Sequence, residues 1–127
     1  MGAYDKTARR VRDILTRSYS TDRKGFDGNE DCGQMSAWYI LSALGFYPLN
    51  PADGWYEIGS PVIDRATIRI GVPYAPSELV IVARNQSPSN WRVKSVSFNG
   101  RPILDRRIHH NDLVRGGELV FEMGGDE

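Results

Sequence analysis

The stretch GNEDCGQMSAWYILSALGFYP, residues 28–48, decides the fold. From Gln34 to Phe46 it carries apolar or small residues on nearly every side and no charge, which predicts a helix of about three turns buried all round. Gly45 stands where a left-handed C-terminal cap falls, and Pro48 blocks continuation. Asp31 immediately precedes the apolar run and Gln34 follows, the acidic variant of a capping box. On that reading Asp31 is structural, and such a cap contributes about 1 kcal/mol. The same position also has a chemical reading. A carboxylate at a helix N-terminus is stabilised by free amides and the macrodipole, so its pKa is expected to fall. A carboxylate kept ionised suits a base that orients water, or a ligand for a hard cation, and does not suit a general acid. Asn29 and Glu30 extend this patch with amide and carboxylate oxygens.

Upstream, Tyr4, Ala8, Val11, Leu15 and Tyr19 recur at three- and four-residue steps, the spacing of an amphipathic helix. Lys6, Arg9, Arg10, Arg12 and Arg17 lie between them, interleaved with Asp5 and Asp13, and read as a solvated face rather than a phosphate-binding stripe. STDRKGFDGNED then forms a polar loop. Downstream of Pro51 the character changes to WYEIG, ATIRIGV, ELVIVAR, RVKSVSFNG and ELVFEMG, short runs rich in β-branched and aromatic residues and separated by turn formers. Asn99-Gly100 is a type I′ hairpin signal with RPIL returning. In the strand before it, Val93, Val96 and Phe98 alternate imperfectly. Helices before strands imply an α+β chain, with residues 1–50 helical and residues 51–127 an antiparallel sheet or half-sandwich, packed as one unit.

Composition narrows the function. At 127 residues, with 40% apolar and 25% charged residues, the chain is long enough for one globular core. Its 16 basic residues balance 16 acidic ones, which argues against a nucleic-acid or membrane partner. A single cysteine, Cys32, excludes an internal disulfide and a multi-cysteine zinc site, and is expected as a small buried side chain at the helix start. The N-terminal residues carry charges every few positions, unlike a signal peptide or a membrane span.

The segments GNEDCGQMSAWYILSALGFYP, YEIGSPVIDRATI, VKSVSFNGRPI and GGELVFEMG together closely resemble the C-terminal part of glycoside hydrolase family 92, the calcium-dependent exo-acting α-mannosidases. The resemblance runs from the first helix through Gly124. It implies an inverting glycosidase acting on mannosides or mannose-containing glycans, with an (α/α)6 catalytic barrel and associated β-sandwich segments. The two helices here would be the last of that barrel. Asp31 matches the family's catalytic base. Asn29 falls at the position of a companion aspartate, where an amide orients water and cannot accept its proton. Inversion needs a second, protonated carboxyl about 6.5–9.5 Å from the base, and the resemblance puts that acid, most sugar contacts and the calcium ligands upstream. The chain then reads as a fragment, inactive alone, of a secreted or periplasmic parent whose missing upstream segments are its partners.

Trp38 and Tyr39 are candidate sugar-stacking residues, although on a buried helix aromatics serve packing. Trp55, Tyr56 and Trp91, beside turns at strand ends, would serve a carbohydrate-binding surface or a plain sheet edge. His109 and His110 are adjacent in a strand and point to opposite faces, which does not suit one metal ion. Asn85-Gln86-Ser87 fits the glycosylation pattern, and Gly59-Ser60-Pro61 reads as a turn. The rival function is a non-catalytic β-rich module that binds glycans or braces a neighbouring domain.

Overall fold

The computed structural model describes residues 3–125. Helix α1 spans Tyr4–Arg17, with Asp5 in its first turn and Arg17 in its last, both signs favourable to the helix dipole. Helix α2 spans Gln34–Leu44 and stops at Gly45, whose φ of 96° is left-handed and whose N–H donates to Leu41 O and Ser42 O. A Cβ on Gly45 would also lie 2.9 Å from Phe121 Cζ and 3.0 Å from Pro61 Cδ, so the cap and the close approach demand the same residue. The helix ends before Phe46, because Phe46–Tyr47 already form strand β1.

The remaining strands are β2 (Trp55–Ile58), β3 (Arg65–Ile70), β4 (Ser77–Arg84), β5 (Arg92–Phe98), β6 (Arg101–Pro102), β7 (Arg107–His109) and β8 (Gly117–Gly124), with a short helix α3 (His110–Val114) before β8. They make two sheets, β1-β2-β7 and β3-β4-β8-β5-β6. All pairings are antiparallel except β4 with β8, which run parallel from Leu79↔Gly117 to Arg84↔Glu122. The chain is thus α+β, with a mixed larger sheet. The imperfect alternation of β5 has a physical cause: a register shift between Val93 and Ser95 against β8 lets Val93 and Val96 both turn inward while Lys94 and Ser95 face out. Asn99 (φ 49°) and Gly100 (φ 78°) form the turn that follows, both in the region a type I′ turn requires.

Both sheets and α3 contribute to one core. Phe46, Ile58, Ile108 and Leu113 meet Leu79, Ile81, Val93, Val96, Leu119, Phe121 and Met123, and Ile81, Leu119 and Phe121 are wholly enclosed. β8 runs through the middle of this core, buried at Leu119, Val120, Phe121 and Met123.

Two helical expectations are corrected. Arg12 is not on a solvated face: it is buried on the inner side of α1 with Ala8 and Leu15. Its Nε donates to Ser60 Oγ (2.9 Å) and its Nη1 to Ser87 O (2.8 Å). Its Nη2 donates to Pro61 O and to Gln86 Oε1 (3.3 Å). Ser60, fully enclosed, donates its own hydroxyl hydrogen bond to Trp91 O at 2.6 Å. The Gly59-Ser60-Pro61 turn is therefore the hub that pins α1 to the sheets, and burial lowers the pKa of Arg12 below the usual guanidinium range. Helix α2 is not buried all round: only Ser42 and Ala43 are enclosed, while Ile40 is 57% and Tyr39 37% exposed. The sheets reach only its C-terminal end, and among the described residues nothing covers its outer face.

Candidate active site

The loop between α1 and α2 is tied at its base. Asp27 N donates to Ser18 O (3.2 Å), Ser20 N to Gly25 O (2.7 Å), and Tyr19 pairs with Phe26 as an isolated antiparallel bridge. Gly28 (φ 107°) then turns the chain into Asn29-Glu30-Asp31. A single 3-10 turn, Asp31–Gly33, follows, and two successive residues within it are left-handed, Cys32 (φ 55°, ψ 29°) and Gly33 (φ 79°). A non-glycine residue in that region is uncommon. The double reversal makes Gly33, not Asp31, the residue from which α2 departs.

This geometry divides the acids' roles. Asp31 makes no capping bond, so the capping-box reading is corrected. Glu30 does the capping instead: its Oε1 and Oε2 accept from Ser36 N, in the first turn of α2, at 3.3 and 3.2 Å. The carboxylate reaches back across Gly33, where a Cβ would sit 3.7 Å from Oε1. Asp31 and Asn29 are exposed, and neither side chain has a hydrogen bond or ion pair among the described residues. Cys32 is exposed as well, contrary to the expected buried position, because the left-handed turn swings it away from the helix.

Beneath the loop lies an aromatic cluster. Trp38 stacks on Tyr19 (ring centroids 5.8 Å apart, planes 14° apart), Tyr39 tilts against the same ring at 4.7 Å, and Phe26 lies at 6.3 Å. Tyr19 Oη donates to Met35 O at 3.2 Å. Desolvation, then the Glu30 charge, then Tyr39 and Tyr47 raise the Tyr19 pKa above 10.0. Trp38 and Tyr39 thus seat the acid loop on α2 and take no part in the main core. Sequence reasoning missed Tyr19 and Phe26 as their partners, although Tyr19 was visible as the last residue of the α1 periodicity.

The two histidines are not neighbours in one strand as expected: His109 ends β7 and His110 opens α3. His109 and Trp55 pack at 83° with ring centroids 5.0 Å apart, while His110 lies between Tyr56 Oη (3.2 Å, at Nδ1) and Tyr74 Oη (2.7 Å, at Nε2). Desolvation, with Tyr74 second, raises the pKa of Tyr56 above 10.0. Trp91 carries a guanidinium near its ring from each of Arg9 (6.0 Å) and Arg92 (5.9 Å). Among the described residues no three His, Cys, Asp or Glu side chains gather as a metal site, and no helix is long and apolar enough to cross a membrane.

Comparison with known proteins bears on this arrangement. Residues 1–125 match the family model described as the glycosyl hydrolase family 92 catalytic domain. No curated protein matches the chain. Among solved structures, the family GH92 α-mannosidase BT3965 from Bacteroides thetaiotaomicron is 35% identical with a TM-score of 0.84, over 94% of this chain and 16% of that one. Its complex with mannoimidazole gives 35% and 0.85, over 94% of this chain and 15% of that one. The family GH92 inverting mannosidase BT2199 from Bacteroides thetaiotaomicron VPI-5482 is 32% identical with a TM-score of 0.83, over 95% and 16%. The chain therefore spans 15–16% of the length of these structures.

Proposed function

The chain belongs to glycosyl hydrolase family 92, and from that premise we propose that it supplies one wall of the active site of an inverting α-mannosidase. The observation that carries the proposal is the division of labour in the acid loop. Glu30 satisfies the helix terminus, which leaves the neighbouring Asp31 carboxylate exposed and unengaged. A free carboxylate on a tethered loop is what a base needs to take a proton from water.

In the proposed reaction Asp31 removes one proton from a water whose oxygen attacks the anomeric carbon, on the face opposite the departing glycosidic oxygen. That oxygen receives its proton from a second carboxyl group. Asn29 orients the water through its amide, and Glu30 acts as a positioning residue by holding the first turn of α2. The general acid lies in segments outside this chain. Residues 1–50 complete the helical barrel, and the outer face of α2 supports this, since Tyr39 and Ile40 are left for further helices to cover. Export to the periplasm or beyond the cell belongs to the same proposal, because it is there that mannose-containing glycans are met.

Calcium takes six to eight oxygen ligands. The residues of this chain do not form such a shell: Glu30 is engaged with Ser36, and no cluster of three candidate ligands exists among the described residues. No step is assigned to the ion here. The test is Asp31→Asn in the polypeptide that carries the upstream segments. Turnover of an α-mannoside should fall about 100-fold or more, with mannoside binding retained; a variant that keeps most of its rate would put the base elsewhere.

A further inference from the structure

On the side of the small sheet facing the β5–β6 hairpin, the surface forms an open hollow of about 800 Å3 that none of Asn29, Glu30 or Asp31 lines. Trp55 and His109 come from the small sheet, Arg101 from the hairpin, and Asp112 and Arg115 from α3 and its end. The indole is fixed from several sides. The Arg107 guanidinium lies 5.2 Å from its centroid, itself held at 2.8 Å from Glu57 and 3.6 Å from Asp53. His109 abuts the ring at 83°. Gly54, left-handed at φ +72°, admits His109 Nε2 to within 2.9 Å of where a Cβ would stand.

The charged groups around this rigid ring behave differently. Arg101, Asp112 and Arg115 are exposed, line the same hollow, and make no side-chain hydrogen bond or ion pair among the described residues. Opposite charges that share a hollow without pairing remain available to a ligand bearing both donors and acceptors, and the indole in the lining favours a ligand that also has an apolar side. An inorganic anion lacks that side and would meet Asp105 and Asp112. A purely apolar ligand would leave three charges without partners. A pyranoside satisfies both demands, with hydroxyls at its rim and a C–H face for the ring.

We propose that this hollow is an accessory saccharide site that binds a pyranose ring of a glycan, separate from the acid loop. That the ring is mannose rests on the function proposed above; the site itself does not. The test follows the indole N–H resonances of the 127-residue chain during titration with an α-linked mannobiose, with maltose and with cellobiose, into the tens of millimolar. A saturable shift of the Trp55 resonance is expected with mannobiose, and Arg101→Ala, an exposed substitution that leaves the fold intact, should weaken it about tenfold. Trp55→Ala should remove the binding, read from sugar-induced shifts of backbone amides around the hollow. Saturation by maltose or cellobiose but not mannobiose supports the site and refutes the mannoside reading of its ligand. No saturation with any of the three overturns the proposal. So does binding that survives in both variants and vanishes in Asp31→Asn, because the sugar would then occupy the acid loop.

Discussion

Replacing Glu30 by alanine should destabilise the chain, whereas replacing Asp31 by asparagine should not. Glu30 presents both oxygens to one amide, Ser36 N, at 3.2–3.3 Å in an exposed setting. A helix cap of this type contributes about 1 kcal/mol. With an unfolding entropy of about 2.1 cal/mol/K per residue, 127 residues give about 0.27 kcal/mol/K, so Glu30→Ala should lower Tm by about 4 °C. Asp31 has no partner to lose, and an exposed substitution of that kind stays within about 0.5 kcal/mol, or under about 2 °C. Thermal unfolding followed by far-ultraviolet circular dichroism resolves the two cases. If Asp31→Asn lowers Tm as much as Glu30→Ala, or if Glu30→Ala is silent, the cap has been assigned to the wrong acid and the free-carboxylate basis for catalysis fails with it.

Two further outcomes follow from the packing. Arg12→Met should cost about 3–5 kcal/mol, because it strands the carbonyls of Pro61 and Ser87 beside a buried apolar chain; urea unfolding that shows under 1 kcal/mol would mean water replaces the guanidinium at no cost. Tyr19 and Tyr56 should ionise above 10.0 in a spectrophotometric titration. Raised folded pKa values mean that their stabilisation is intact below pH 10 and is lost as pH rises through the folded values, so stability should drop on the alkaline side; normal titration of all tyrosines would remove the effect.

What the sequence displayed was local chemistry. Gly45 as a left-handed cap and Asn99-Gly100 as a hairpin turn are each dictated by backbone sterics within a few residues, and both stand in the structure where that chemistry requires. The burial of Arg12 was illegible because its acceptors Ser60 and Ser87 lie 48 and 75 residues away, and an arginine among arginines on a helix looks solvated. The parallel pairing of β4 and β8 was equally hidden, since alternation reports which face a residue takes and not which strand lies beside it. The acid loop fell between these cases. A capping rule counts from the start of the apolar run, but the left-handed Cys32 and Gly33 shift that count and hand the cap to Glu30. Trp38 and Tyr39 were identified as residues, yet their packing against Tyr19 depended on how the loop folds back.

The placement of β8 constrains the order in which the chain can be completed. On a ribosome β4 and β5 emerge first, and each must wait with an unsatisfied edge, since the strand that hydrogen-bonds to both is translated after them. The larger sheet is therefore zipped shut from the inside by the last of its five described strands in chain order, and a stop codon a few positions before Gly117 would leave two unjoined ribbons, β3-β4 and β5-β6, rather than a slightly shortened domain.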